Sequence, residues 1–132
     1  MRLIKRYCLE NGLKLEVWDL SENYWADFWN LKLEIRGKIE VDPTIFPKED
    51  PLAEKAIKAM GKEVFYKRQI VKVGIREKDL PREIEKVLRF FEENALPYFQ
   101  HPDFKRRFLL KEFERTLKEI RINRLREVQH EA

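Results

Sequence analysis

The chain predicts an α+β fold, a mainly antiparallel sheet of four strands in the order β-β-β-α-β-α-α, with helices packed on one face and a long C-terminal helix. Three observations predict it. Apolar residues alternate with polar ones through the first half, the period becomes helical from Asp79 onward, and turn residues such as Asn11-Gly12 divide the segments. A length of 132 residues fits one domain, with a sheet part over 1–78 and a helical part over 79–128.

The first element is a hairpin. Tyr7 and Leu9 alternate with charged residues before the turn, and Leu13, Leu15 and Val17 do so after it. A two-residue Asn11-Gly12 turn would set Leu9 opposite Lys14. A three-residue loop, Glu10-Asn11-Gly12, sets Leu9 opposite Leu13 and Tyr7 opposite Leu15, which keeps the apolar residues on one face. That loop needs Gly12 in the left-handed region.

A long strand from Tyr24 to Val41 is expected next. Trp29, Leu31, Leu33, Ile35, Gly37, Ile39 and Val41 form its buried row, with Asn30, Lys32, Glu34, Arg36, Lys38 and Glu40 in water. Gly37 within the buried row reads as a bend or bulge. Asp50 and Pro51 open a short helix over 51–60 that Gly61 ends. The strand from Val64 to about Arg76 carries Phe65, Val71, Val73 and Ile75 on one side and Val64, Tyr66 and Ile70 on the other. Apolar residues on both sides predict a central strand or a covered second face.

Pro81 opens a helix with Ile84, Val87, Leu88 and Phe91 in one stripe, ending near Leu96-Pro97. Pro102 and Asp103 open the last helix, which runs to about Glu127. Its expected core stripe is Leu109, Leu110, Phe113, Leu117, Ile120 and Val128, with Arg124 intruding.

Composition narrows the class. Hydrophobic residues make up 43% of the chain, which excludes a disordered, low-complexity sequence. Charged residues reach 39%, in the Lys/Arg/Glu alternation seen in proteins of thermophiles. Cys8 is the only cysteine, so a reducing, cytoplasmic setting is expected. No apolar run approaches the ~18 residues of a membrane span. The net charge of +4 sits mainly at the C-terminus, where residues 101–132 hold nine basic and six acidic side chains.

Chemistry-bearing residues are sparse. Ser21, Thr44, Thr116 and Cys8 are the only nucleophiles of their types, and His101 and His130 the only histidines. Acyl transfer needs a nucleophile beside an oriented base. His101 reads as an exposed residue before the last helix, and His130 lies near the chain end. Structural zinc needs about four Cys or His ligands, and those present are few and spread apart. None of the four glycines lies in a phosphate-cradling run. No catalytic residue, metal or cofactor is therefore assigned.

Two segments suit contact surfaces. In Tyr24-Trp25-Ala26-Asp27-Phe28-Trp29, four aromatics flank one carboxylate. Their desolvation would make Asp27 a weaker acid, while Trp25 and Phe28 suit an interface. On the last helix, Phe104, Phe108, Ile122 and Leu125 lie off the core stripe, as for a helix touching two surfaces. Arg107, Lys111, Arg115, Lys118 and Arg121 form a basic face there, broken by Glu114.

The turn Asn11-Gly12-Leu13, the strand after the Asp27 aromatics, and Leu96-Pro97-Tyr98 before the last helix resemble a small bacterial protein family with no assigned function. The resemblance implies a layout and no activity. The residues point first to a non-enzymatic interaction protein, a homodimer or partner of another protein, using Trp25, Phe28, Phe104, Phe108, Ile122 and Leu125. The alternative is a nucleic-acid-binding module using the basic face of the last helix, with weak, sequence-independent affinity.

Overall fold

Asn11 and Gly12 decide how the sheet begins. Leu9 N donates to Leu13 O at 2.9 Å and Gly12 N donates to Leu9 O at 3.0 Å, closing the three-residue loop. Gly12 takes φ 86°, a region costly for residues with a Cβ. Asn11 Oδ1 accepts from Leu13 N at 3.0 Å, bracing the turn from within. Tyr7 consequently faces Leu15 and Cys8 faces Lys14 across β1 (Arg2–Cys8) and β2 (Lys14–Asp19).

The computed structural model describes residues 1–131, with side chains as far as Gln129. The fold is α+β, with a five-stranded antiparallel sheet. Its described helices are α1 (Ala53–Met60), α2 (Leu80–Asn94), α3 (Leu96–Gln100) and α4 (Phe104–Glu131).

The extra strand comes from a break in the expected Tyr24–Val41 run. β3 (Glu22–Trp25) and β4 (Phe28–Glu40) meet at a tight turn in which Ala26 adopts φ 51°. Non-glycine residues seldom sit there, so Ala26 itself does not announce the turn. β3 is a continuation of β2. Asp19 opposes Leu33 and Glu22 opposes Asn30, one unbroken register along β4. Leu20 N donates to Lys32 O at 2.8 Å and Lys32 N to Ser21 Oγ at 3.0 Å, so Ser21 bridges the interruption.

β5 (Glu63–Arg76) pairs with β4 and with no other described strand, so it is an edge strand, neither the central strand nor the strand with a covered second face that were the two expectations. Its Phe65, Val71 and Val73 are exposed. Gly37 is also corrected. β2 and β4 hold one register from Asp19–Leu33 up to Leu15 opposite Gly37, with no bulge among these pairs. A Cβ on Gly37 would lie 2.9 Å from Leu15 Cδ2, so the glycine makes room for a buried leucine.

Two further boundaries shift. The Asp50 carboxylate accepts from Leu52 N at 2.8 Å, and regular α-helix begins at Ala53. Gly61 ends α1 at φ 75°, as expected of a glycine stop. The segment after Asn94 forms α3, with Pro97 in its first turn where a missing N–H costs nothing.

The chain forms two compact units. The first comprises Met1–Lys38 and Phe65–Pro102. Its core joins Tyr7, Leu9, Leu13, Leu15, Val17, Leu31, Leu33 and Ile35 to Val87, Phe91 and Phe99, all buried. Tyr7 meets Phe91 at 5.6 Å between ring centroids, and Phe99 meets Tyr66 edge-on at 5.1 Å, the geometry aromatic quadrupoles favour. Asn11 Nδ2 donates to Phe99 O at 2.7 Å and His101 O at 3.0 Å, tying the first hairpin to α3.

The second unit comprises Ile39–Val64 and the chain from Asp103. Here α1 packs on α4, burying Ala53, Ala56 and Met60 with Leu109, Phe113 and Leu117. Phe46 stacks on Phe113 at 4.8 Å.

Candidate functional site

The tip of the β3–β4 hairpin collects the aromatic segment. Trp25 and Phe28 stack with centroids 6.2 Å apart and planes 2° from parallel, and Trp25 is 68% exposed. Arg76 lies over Phe28 at 5.4 Å and near Asp27 at 4.0 Å, and Glu77 N donates to Asp27 O at 2.8 Å. The Asp27 side chain is half exposed, which removes the desolvated-acid geometry considered for it. Trp29 Nε1 and Asn30 Oδ1, next along β4, are buried without a hydrogen-bond partner.

The hydroxyls are engaged in local structure. Ser21 Oγ serves Lys32 N, Thr44 Oγ donates to Asp42 at 2.6 Å, and Thr116 Oγ donates to Glu112 O at 2.8 Å. Among the described residues, no group of three or more His, Cys, Asp or Glu side chains could hold a metal ion. The His130 side chain lies outside the described residues.

On α4, the expected contact residues separate. Phe104 is buried at 3% exposure and stacks with half-buried Phe108 at 6.0 Å. Ile122 and Leu125 are exposed, the latter by 65%. Val128, expected in the core stripe, is exposed by 63%, because every residue from Arg121 to Gln129 lies open on a helix outrunning its support. The basic face is largely paired. Arg107 lies 3.9 Å from Asp103, Arg115 binds Glu112 at 2.6 Å and Glu119 at 2.8 Å, and Arg121 pairs with Asp50. Lys111 and Lys118 are exposed.

Beside this helix lies a half-open cleft of about 260 Å³. Leu110, Phe113 and Leu117 line its apolar part, and Glu49, Glu114 and the Asp50–Arg121 pair its rim.

A second concavity, of about 530 Å³, lies on the sheet. Arg6, Lys14, Arg36, Lys38, Cys8 and Phe65 contribute to it. Register explains the convergence. Arg6 faces Glu16 and Glu16 faces Arg36 across β1, β2 and β4, on the side opposite buried Leu15, Val17 and Ile35. Arg36 covers the Trp18 ring at 4.9 Å, and Arg6 Nε donates to Glu16 at 3.2 Å. Glu34, on the same side, is only 4% exposed. Hydrogen bonds from Gln69 and then Arg36, with the charges of Arg36 and Lys67, hold its carboxyl below the usual range despite burial. Alternation along β4 predicts this side in water, and the burial of Glu34 departs from that. The alternating cations were legible, but the placement of Phe65 beside them required the β4–β5 pairing.

No protein-family model, curated protein or solved structure matches the chain. Among the described residues, no helix is long and apolar enough to cross a membrane.

Proposed function

We propose that the protein is a non-enzymatic interaction module that self-associates through the exposed end of α4. The observation that carries this is the run from Arg121 to Gln129, exposed throughout and bearing Ile122, Leu125 and Val128. Soluble chains rarely leave such a stripe uncovered, because apolar area in water costs about 25 cal/mol per Å². The occupant is a second copy of the chain. Its α4 end brings Arg124 and Arg126 together with apolar side chains, complementing Glu49 and Glu114 and the apolar lining of the cleft. A two-fold dimer uses each end and each cleft once. Phe104 is already covered and adds nothing to this contact.

Light scattering on wild type and Leu125→Glu tests the proposal. A wild-type dimer and a folded monomeric variant support it. A wild type that stays monomeric at high concentration overturns it. The alternative is nucleic-acid contact through α4, where Arg107, Arg115 and Arg121 would exchange their ion pairs for phosphates.

A further inference from the structure

Cations gather on one face of the sheet. Glu16, Glu34 and their register partners mark the side of the sheet turned away from Leu15, Val17 and Ile35. Alternation places Lys32 and Lys38 of β4 on that side. Gln69 reaches Glu34 at 3.2 Å, so Phe65, Lys67, Val71 and Val73 of β5 lie there too. On β1, β2, β4 (to Lys38) and β5 (from Phe65) this side therefore holds six cations, Arg6, Lys14, Lys32, Arg36, Lys38 and Lys67, against Glu16 and Glu34, and Glu40 and Glu63 continue the same rows at the strand ends.

Aromatic surface accompanies the charge. Phe65 is 62% exposed at the concavity, and the Trp18 ring lies beneath Arg36, whose guanidinium offers a second flat surface. A face of cations alone would suit any polyanion. Cations interleaved with flat surfaces suit a polyanion that itself carries rings.

We propose that this face binds single-stranded nucleic acid, with phosphates over Lys14 and Lys38 and on the remaining N–H donors of Arg6 and Arg36, which also hold Glu16 and Glu34, and bases stacked on Phe65 and the Arg36–Trp18 pair. A single strand is specified because stacking needs unpaired bases, and a broad sheet face does not enter a duplex groove. The readout is sequence-tolerant, since every base has a π-face. The assignment rests on the sheet alone and is independent of self-association through α4.

The test is fluorescence anisotropy with labelled oligo(U) and oligo(dT), and with a duplex of equal length, at ~50 and ~200 mM salt. Each phosphate neutralised contributes about −0.7 to the log–log salt slope for single strands, so four contacts weaken binding about 50-fold over that range. Lys14→Glu with Lys38→Glu lowers affinity by at least about 20-fold and flattens the slope by about 1.4. Phe65→Ala costs at least about fivefold and leaves the slope unchanged, because stacking releases no counterions. Lys118→Glu on α4 stays within about twofold of wild type, and Leu125→Glu still binds. Circular dichroism confirms folding, and Phe65, being exposed on an edge strand, provides a variant that does not depend on the lysines. No binding at low salt, salt-independent binding, a duplex preferred over single strands, or wild-type affinity in the double lysine variant overturns the proposal. Loss of binding in Lys118→Glu alone does so as well, by moving the contact to the helix.

Discussion

Gln69 Nε2 on β5 donates to Glu34 Oε1 on β4 at 3.2 Å, and this contact lets a carboxylate with 4% exposure remain charged. Arg36 Nε completes the site at 2.5 Å. Burial opposes the charge, yet these donors outweigh it and lower the Glu34 pKa from 4.5. A carboxyl with a depressed folded pKa contributes stability above its unfolded pKa and loses it as pH falls through the folded one. Glu34→Gln should therefore be less stable than wild type at neutral pH, by about 1–3 kcal/mol. The gap should close as pH drops below about 4. Urea unfolding at several pH values measures this, and a gap constant down to pH ~3 refutes the charged-site account.

Gly37 is held by space. An alanine there would press its Cβ against Leu15 Cδ2, and Leu15 is fully buried and cannot swing aside. Gly37→Ala should destabilise by about 1–3 kcal/mol, the usual range for overpacking. Leu15→Val, which removes the crowded δ carbons, should recover part of that loss in the double variant. Additive costs would show that the contact is not the cause.

Asn11 has three hydrogen bonds to lose, one to Leu13 N and two to carbonyls of Phe99 and His101. Asn11→Ala should cost about 2–4 kcal/mol, from partly buried carbonyls left without donors. Asn11→Asp should cost at least as much, since a carboxylate facing two carbonyls repels them. Thermal unfolding decides, and a loss below about 0.5 kcal/mol for both variants contradicts the stapling role.

Hydrogen exchange reads the end of α4 directly. In dilute protein, amides from Arg121 to Gln129 should exchange faster than those around Phe113, where the helix is buried on one side. Raising the concentration should slow the first group if a second copy covers it. Exchange independent of concentration argues against self-association there.

Trp25→Ala should leave stability within about 1 kcal/mol of wild type, because the ring is 68% exposed and touches chiefly Phe28. A larger loss would assign the hairpin tip a structural role.

Local patterning was enough to specify the α+β class, the first hairpin's register and the buried row Leu31, Leu33 and Ile35. Each depends on side chains near in sequence, where a period of two and a glycine-bearing loop leave one arrangement that keeps apolar residues together. Tertiary structure alone decided the rest. Ala26 turns the chain without a turn residue, since its φ of 51° is held by the pairing of β3 with β4 and by Asn23 Nδ2 donating to Ala26 O at 2.8 Å. β5 looked central because apolar residues occupy both its sides, yet strand order is a long-range pairing that composition does not encode. Val128 and Leu109 share a helical stripe, but only the extent of the packing partner determines that Leu109 is buried and Val128 is in water. The charged face followed the same logic. Its lysines and arginines were visible one by one, and they became a surface only when register placed four strands side by side.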